Sequence, residues 1–173
     1  GGGAYSGTLD ECVLRNNVAF TQYTSGAAPQ WGRGAGCAQS TLNRCVVVGN
    51  YSEDCGGGMY GGIAYNCLFV GNSAGSDAGA ADGTDIYNCT MVGNSAGSRG
   101  GATWGADVYN SILWNNTAPD GADVSSTACY FCRVGVIPNL GSDNITDDPM
   151  FVNAAEGDYH LLPQSPDAYY PRS

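Results

Sequence analysis

Apolar residues in this chain recur in register rather than in helical phase. Five stretches align: Glu11-Cys12-Val13-Leu14, Arg44-Cys45-Val46-Val47, Asn66-Cys67-Leu68-Phe69, Asn88-Cys89-Thr90-Met91 and Asn110-Ser111-Ile112-Leu113, spaced by 33, then 22, 22 and 22 residues. Leu14, Val47, Phe69, Met91 and Leu113 are apolar in every repeat. Cys12, Cys45, Cys67, Cys89 and Ser111 lie two residues earlier and so share the same strand face. Leu9, Leu42, Ala64, Ile86 and Val108 form a further inner column. No stretch sustains a 3.6-residue apolar period, so short strands are predicted and helices are not. The first interval is one repeat plus 11 residues, an insertion placed at about 18–31.

Polar columns fix how these strands connect. Asn17, Asn50, Asn72, Asn94 and Asn116 recur five residues after the cysteine column, where stacked amides can hydrogen-bond along an axis. Just before them stand Asn16, Gly49, Gly71, Gly93 and Asn115, the residue types suited to positive φ. Gly-rich starts at Gly1, Gly34, Gly56, Ala78 and Gly100 mark the next strand of each turn. The predicted fold is all-β: a right-handed parallel β-helix with 22-residue turns over residues 1–121. Residues 122–173 are predicted to form an irregular C-terminal cap on the same solenoid.

The run Gly56-Gly57-Gly58-Met59-Tyr60, followed by Asn66 to Ala74, resembles the bacterial right-handed β-helix repeat. It is close to the form in chlamydial polymorphic outer-membrane proteins, with their GGAI and FxxN signatures. Asp148-Pro149-Met150-Phe151-Val152-Asn153, Gly157 to Leu161 and Ser165-Pro166 resemble the C-terminal segment of secreted bacterial β-helix proteins. Those include surface-anchored proteins and relatives of polysaccharide lyases. After Ser-Pro this chain continues Asp167-Ala168-Tyr169-Tyr170, a departure from the usual Ala-Ile-Asp-Ala-Gly-like ending. The resemblances imply a scaffold and a secreted or cell-surface setting. They transfer no catalytic residue, because the scaffold serves many functions.

Charge narrows the partners. The chain has six basic residues, all arginine, against 16 acidic ones, for a net charge of −10. Nucleic acid and anionic membrane both need a basic face, so neither is an expected partner. No apolar run approaches the ~20 residues of a membrane span. The abrupt Gly1-Gly2-Gly3 start and the absence of a capping segment before it suggest a piece of a longer chain, or a subunit whose first turn is covered by another.

Chemistry-bearing residues fall into a few columns. The cysteine column reads as small buried thiols filling a narrow core, since in-register side chains point the same way and close disulfides awkwardly. Cys37 shares a core column with Ala4, Met59, Ala81 and Thr103. Cys55 shares a surface corner with Arg33, Asp77 and Arg99. Cys129 and Cys132 form the one CxxC, for which a local disulfide is expected rather than zinc, because His160 is the sole histidine. Tyr65, Tyr87 and Tyr109 line one outward column, with Tyr60 and Trp104 on a nearby one. These five are candidates for stacking on sugar rings; the competing reading is an aromatic ladder that stiffens the sheet. Asp85 and Asp107 stack in adjacent turns, weak candidates for calcium against the default of solvated carboxylates. The Asn-x-Ser/Thr triplets at Asn50, Asn88, Asn115 and Asn144 read as incidental to an Asn-rich repeat.

No catalytic set assembles. Elimination in polyuronates wants a basic residue plus charge neutralisation; lysine is absent, and Arg15, Arg33, Arg44 and Arg99 form no evident cluster. Hydrolysis needs carboxylates facing across a groove. The function expected is therefore a binding or adhesion module for a polysaccharide or surface glycan, without a required cofactor. The alternatives are a carbohydrate-active β-helix enzyme, or a fragment of one, and a self-assembling structural subunit. Apolar outward positions Val46, Val48, Leu68, Val70, Val92, Ile112 and Trp114 mark the expected interface for self-association.

Overall fold

The computed structural model of the chain describes residues 2–23, 25 and 28–163. Three parallel sheets run along one axis, each built from successive turns of the chain. The first sheet carries the long strands Cys37–Asn43, Met59–Tyr65 and Ala81–Tyr87, in register at Cys37, Met59 and Ala81. The second stacks Val13–Arg15, Val46–Val48, Leu68–Val70, Thr90–Val92, Ile112–Trp114 and Arg133–Val134. The third stacks Val18–Ala19, Tyr51–Ser52, Ser73–Ala74 and Ser95–Ala96. Among the described residues there is no α-helix. The chain is a parallel β-solenoid of 22-residue turns.

Left-handed residues set the cross-section. Gly56, Gly61, Asn66 and Gly71 all have positive φ, as do Ala78, Gly83, Asn88 and Gly93 one turn later. Each turn is thus three steps of five residues and a longer link. Within a step, the residue after the corner points inward and is small, and the apolar residue two further on fills the lumen. Phe69 fits because Gly58 faces it: a Cβ there would lie 3.2 Å from the Phe69 ring and 2.6 Å from the Ala80 carbonyl oxygen.

At two of the corners the following N–H turns away from backbone carbonyls, and a side chain in the next turn accepts it. At one corner asparagine does so. Asn50 and Asn72 donate their backbone N–H to Asn72 Oδ1 (3.1 Å) and Asn94 Oδ1 (2.9 Å) respectively. The amide Nδ2 of Asn72 donates both to Asn94 Oδ1 (3.0 Å) and to the Val47 carbonyl (2.9 Å). At the preceding corner cysteine plays the same part. The N–H groups of Cys45 and Cys67 donate to Cys67 Sγ (3.4 Å) and Cys89 Sγ (3.3 Å), and that of Cys89 to Ser111 Oγ (3.0 Å). The thiols of Cys67 and Cys89 then donate to the Tyr65 (3.1 Å) and Tyr87 (3.2 Å) carbonyls. The cysteines are therefore hydrogen-bonding members of a ladder, more than the filler expected of them. Ser111 replaces one without loss because a hydroxyl donates and accepts in the same directions.

Three further expectations need correction. The parallel ladder does not stop at Gly121: Val124–Ser125, Ala128–Tyr130 and Leu140–Ser142 continue the first sheet. One residue is missing from this turn, since Arg99 pairs with Asp120 and Thr103 with Val124, and a strict period of 22 overlooks it. Cys129 and Cys132 are free thiols, not a disulfide. They belong to two different inner columns, continuing Val108 and Ser111, and both are buried. Asparagine also gives way at the ladder's end: Asp123 Oδ1 accepts from Asn116 Nδ2 (2.8 Å), while its Oδ2 accepts from the Gly135 N–H (2.7 Å). A carboxylate has no N–H to pass on, so it closes the series.

The expected insertion leaves the solenoid between Ala19 and Gly32, where Gln22 and Gln30 form an antiparallel bridge. After the last turn, Phe151–Asn153 and Asp158–Leu161 pair antiparallel. This hairpin lies over the outer face of the second sheet, enclosing a cavity of about 550 Å³ with Arg44, Val46, Leu68 and Thr90 on its floor. Buried Arg133 anchors the approach by donating to the Asp147 and Asp148 carbonyls. Val46, Val48, Leu68, Val70, Ile112 and Trp114 are half-buried and Val92 is buried, whereas Val13 is exposed. Part of the cover assigned to a partner is thus supplied by the chain itself. Ser165, Pro166 and the divergent ending after them lie outside the described residues.

Two stability outcomes follow from the corners. Asn72→Ala strands the Asn50 N–H and the Val47 carbonyl in the core, and should lower unfolding free energy by ~1–3 kcal/mol in urea melts. No change would refute the ladder. Phe131 has a φ of 56° and an exposed ring, in the column of Asn66, Asn88 and Asn110. Phe131→Asn should stabilise by about 1 kcal/mol, since asparagine tolerates the left-handed backbone better; a destabilised variant would show that the ring contributes packing.

Candidate functional site

Of the columns singled out from the sequence, the tyrosines form a continuous stack. Tyr65, Tyr87, Tyr109 and Tyr130 lie with centroids 5.2, 5.1 and 5.0 Å apart and planes within 19° of parallel. Tyr130 escaped the sequence pattern because of the missing residue in its turn. Each inner ring is covered by its neighbours on both faces, leaving edges and phenolic oxygens outward. Burial and the carboxylate of Asp85 raise the Tyr87 pKa, so its phenol stays protonated. Asp85 and Asp107 are exposed, and no cluster of three or more metal-ligating side chains occurs among the described residues.

Tyr60 and Trp104 sit elsewhere, on either side of Asp82. All three occupy one outward column of the first sheet, Asp82 pairing with Tyr60 on one side and Trp104 on the other. The two aromatic residues are therefore two strand spacings apart, roughly 10 Å. The corner column Arg33, Cys55, Asp77 and Arg99 runs beside them, because the left-handed residues Gly34, Gly56, Ala78 and Gly100 bend the chain just before the first sheet. Those three and all of the corner column but Arg99 line a cleft of about 540 Å³, which also includes Gln39, Asp54 and Ser76. Of the arginines, Arg33 lines this cleft, and Arg99 stands behind it against Asp77 and Trp104.

Each arginine is already committed. Arg33 Nε binds Asp54 (2.6 Å), its Nη1 donates to the Tyr60 hydroxyl (2.9 Å), and its guanidinium lies 5.0 Å from the Tyr60 ring centre. Arg99 binds Asp77 through both carboxylate oxygens (3.0 and 2.7 Å) and lies 4.6 Å from the Trp104 ring centre. These contacts fix both rings beside the cleft.

Asp82 is left over. It is 4% exposed, and among the described residues it takes part in no ion pair. Burial pushes its pKa up to about 6; a hydrogen bond with the Cys55 thiol and the charge of Arg33 oppose this, while the charges of Asp77 and Asp54 add to it. That thiol is hydrogen-bonded to Asp54 (3.4 Å) and has its own pKa pushed up to about 12 by burial, so it is a poor nucleophile. The Trp104 indole N–H is also buried and has no hydrogen-bond partner among the described residues. The cleft thus holds a carboxylate that makes no ion pair among the described residues, met only by the Cys55 thiol, and an indole N–H without a partner, between two aromatic side chains. A hydrolase pair is not completed, because Asp54 and Asp77 are each tied to an arginine.

Sequence reasoning named Tyr60, Trp104 and Cys55 but missed Asp82 as the centre of a site. The signal was present: aspartate stands in a column whose other members are Tyr5, Ala38, Tyr60, Trp104 and Ser125. No family model, curated protein or solved structure matches the chain.

Folding raises the Asp82 pKa, so the native state holds its proton more tightly than the unfolded chain. The stability this group contributes is full below the ordinary aspartate range, near ~4, and is lost as pH rises through about 6. Asp82→Asn should therefore be more stable than the wild type at neutral pH, with the difference vanishing toward pH ~4. Urea melts at both pH values test this; a difference independent of pH would refute it.

Proposed function

We propose that the chain is an extracellular or cell-surface β-helix module of the bacterial repeat type, and that it binds glycans in the Tyr60–Asp82–Trp104 cleft. The observation that carries this reading is the buried Asp82 carboxylate beside an unsatisfied indole N–H. A sugar offers hydroxyls that donate to the first and accept from the second, and its apolar ring faces suit aromatic walls. A purely apolar ligand would leave the indole N–H stranded, at a cost of ~1–3 kcal/mol. The tyrosine stack supports the reading less well, because its inner ring faces cover one another. It is better explained as a stiffening ladder, each contact contributing ~0.5–1.5 kcal/mol.

Binding of the intact chain to a panel of immobilised polysaccharides, alongside Trp104→Ala and Tyr87→Ala, tests the assignment. Trp104→Ala should weaken retention at least about tenfold, or ~1.4 kcal/mol, while Tyr87→Ala retains binding with some loss of thermal stability. The reverse pattern would move the site to the tyrosines. No retention of any glycan by the wild type would sink the proposal.

A further inference from the structure

We infer that the cleft selects an amine-bearing sugar, a hexosamine unit with a free ammonium group, over neutral and acidic ones. The inference rests on the glycan reading above and gives it a chemical class. It follows from how the charges in the cleft are paired.

Four of the five charged groups cancel locally. Arg33 neutralises Asp54 and Arg99 neutralises Asp77, each at salt-bridge distance. The fifth, Asp82, is buried in the same cleft and makes no ion pair among the described residues; only the Cys55 thiol and the more distant charge of Arg33 favour its ionised form. A buried carboxylate without a counter-ion is costly and is relieved most by a cation that also donates hydrogen bonds. An ammonium does both, and a neutral hydroxyl does only the second. A uronate would place a second negative charge beside Asp82, with neither guanidinium free to meet it. The unsatisfied indole N–H and the Gln39 amide add the opposite requirement, for acceptors on the same ligand. A sugar carrying both an ammonium and hydroxyls meets all of these; an isolated alkylamine meets only the first.

Four probes separate the possibilities by calorimetry with the full chain at pH about 7 and low salt: a glucosamine trisaccharide, its N-acetylated form, a galacturonate trisaccharide and trilysine. The glucosamine trisaccharide should bind at least about tenfold more tightly than the acetylated one, with galacturonate not detected and trilysine weaker than glucosamine. Asp82→Asn should bring the free and acetylated sugars to equal affinity. Trp104→Phe, which removes only the bicyclic ring's N–H and some area, should weaken both sugars alike. Equal affinity of the wild type for the two sugars would overturn the hexosamine inference and leave the glycan reading standing. Trilysine binding as tightly as glucosamine, and lost in Asp82→Asn, would assign the cleft to cationic peptide and overturn it. Failure of every sugar to bind would overturn the glycan reading and, with it, this one.

Discussion

The N–H that follows two of the left-handed corners in each turn governs this molecule. A strand N–H finds its partner in the adjacent turn automatically, but the corner rotates the next amide out of that ladder and toward the lumen. Inside a dry core it must be met by a side chain one turn on. That side chain must be short, must accept, and must itself satisfy a neighbouring carbonyl. Asparagine meets these demands at one corner, and cysteine or serine at another. Because in the regular turns the partner lies 22 residues on, the requirement passes from rung to rung and keeps successive turns in register. It stops only where the acceptor needs no further donation: at Asp123 for the asparagines, and at Asn144 for the cysteines, whose last N–H it accepts at 2.9 Å.

This internal bookkeeping leaves the outward columns free, and they divide into two kinds. Where a column repeats, its members satisfy each other, as the four tyrosines do by stacking. Where a column changes identity from turn to turn, unlike groups are set side by side at strand spacing. The run Arg33, Cys55, Asp77, Arg99 and the run Tyr60, Asp82, Trp104 are of the second kind, and, Arg99 apart, they line the cleft. In a solenoid, a recognition site is a local break in periodicity on a surface whose interior keeps it.

That distinction also explains what was legible in the sequence. The inner columns, the corner glycines and asparagines, and the insertion before Gly32 could all be read because each is enforced at every turn. The end of the solenoid was misplaced because a single missing residue between Thr117 and Asp120 shifts every later column by one, hiding Tyr130, Cys129 and Cys132 from an exact repeat. Cys129 and Cys132 then looked like a local pair, although they continue two separate inner columns. The cysteine ladder was placed correctly but valued as volume, since a sequence does not show where an N–H points. The cleft was the least visible feature. Its two columns are five residues apart along the chain, and they meet only because a left-handed residue folds one against the other.

Asp82 raises a physical question: how a small repeat structure carries an unpaired buried carboxylate. In a globular core such a group can unsettle packing on all sides. Here it stands on the outward face of a central strand, Ala81–Tyr87, paired along its length with Met59–Tyr65 and flanked on the other side by Thr103–Trp104 and Asp107–Tyr109. Stability in a solenoid is approximately a sum over turns and their interfaces, so the penalty stays local and the neighbouring rungs hold the strand in place. The inward side of the same strand contributes buried Ala81, Thr84 and Ile86 to the core, untouched by what happens outside. A turn in the middle of the stack can therefore hold a destabilising group that an end turn, paired on one side only, would have less means to support. The position of the carboxylate within the stack is thus part of what makes the cleft possible.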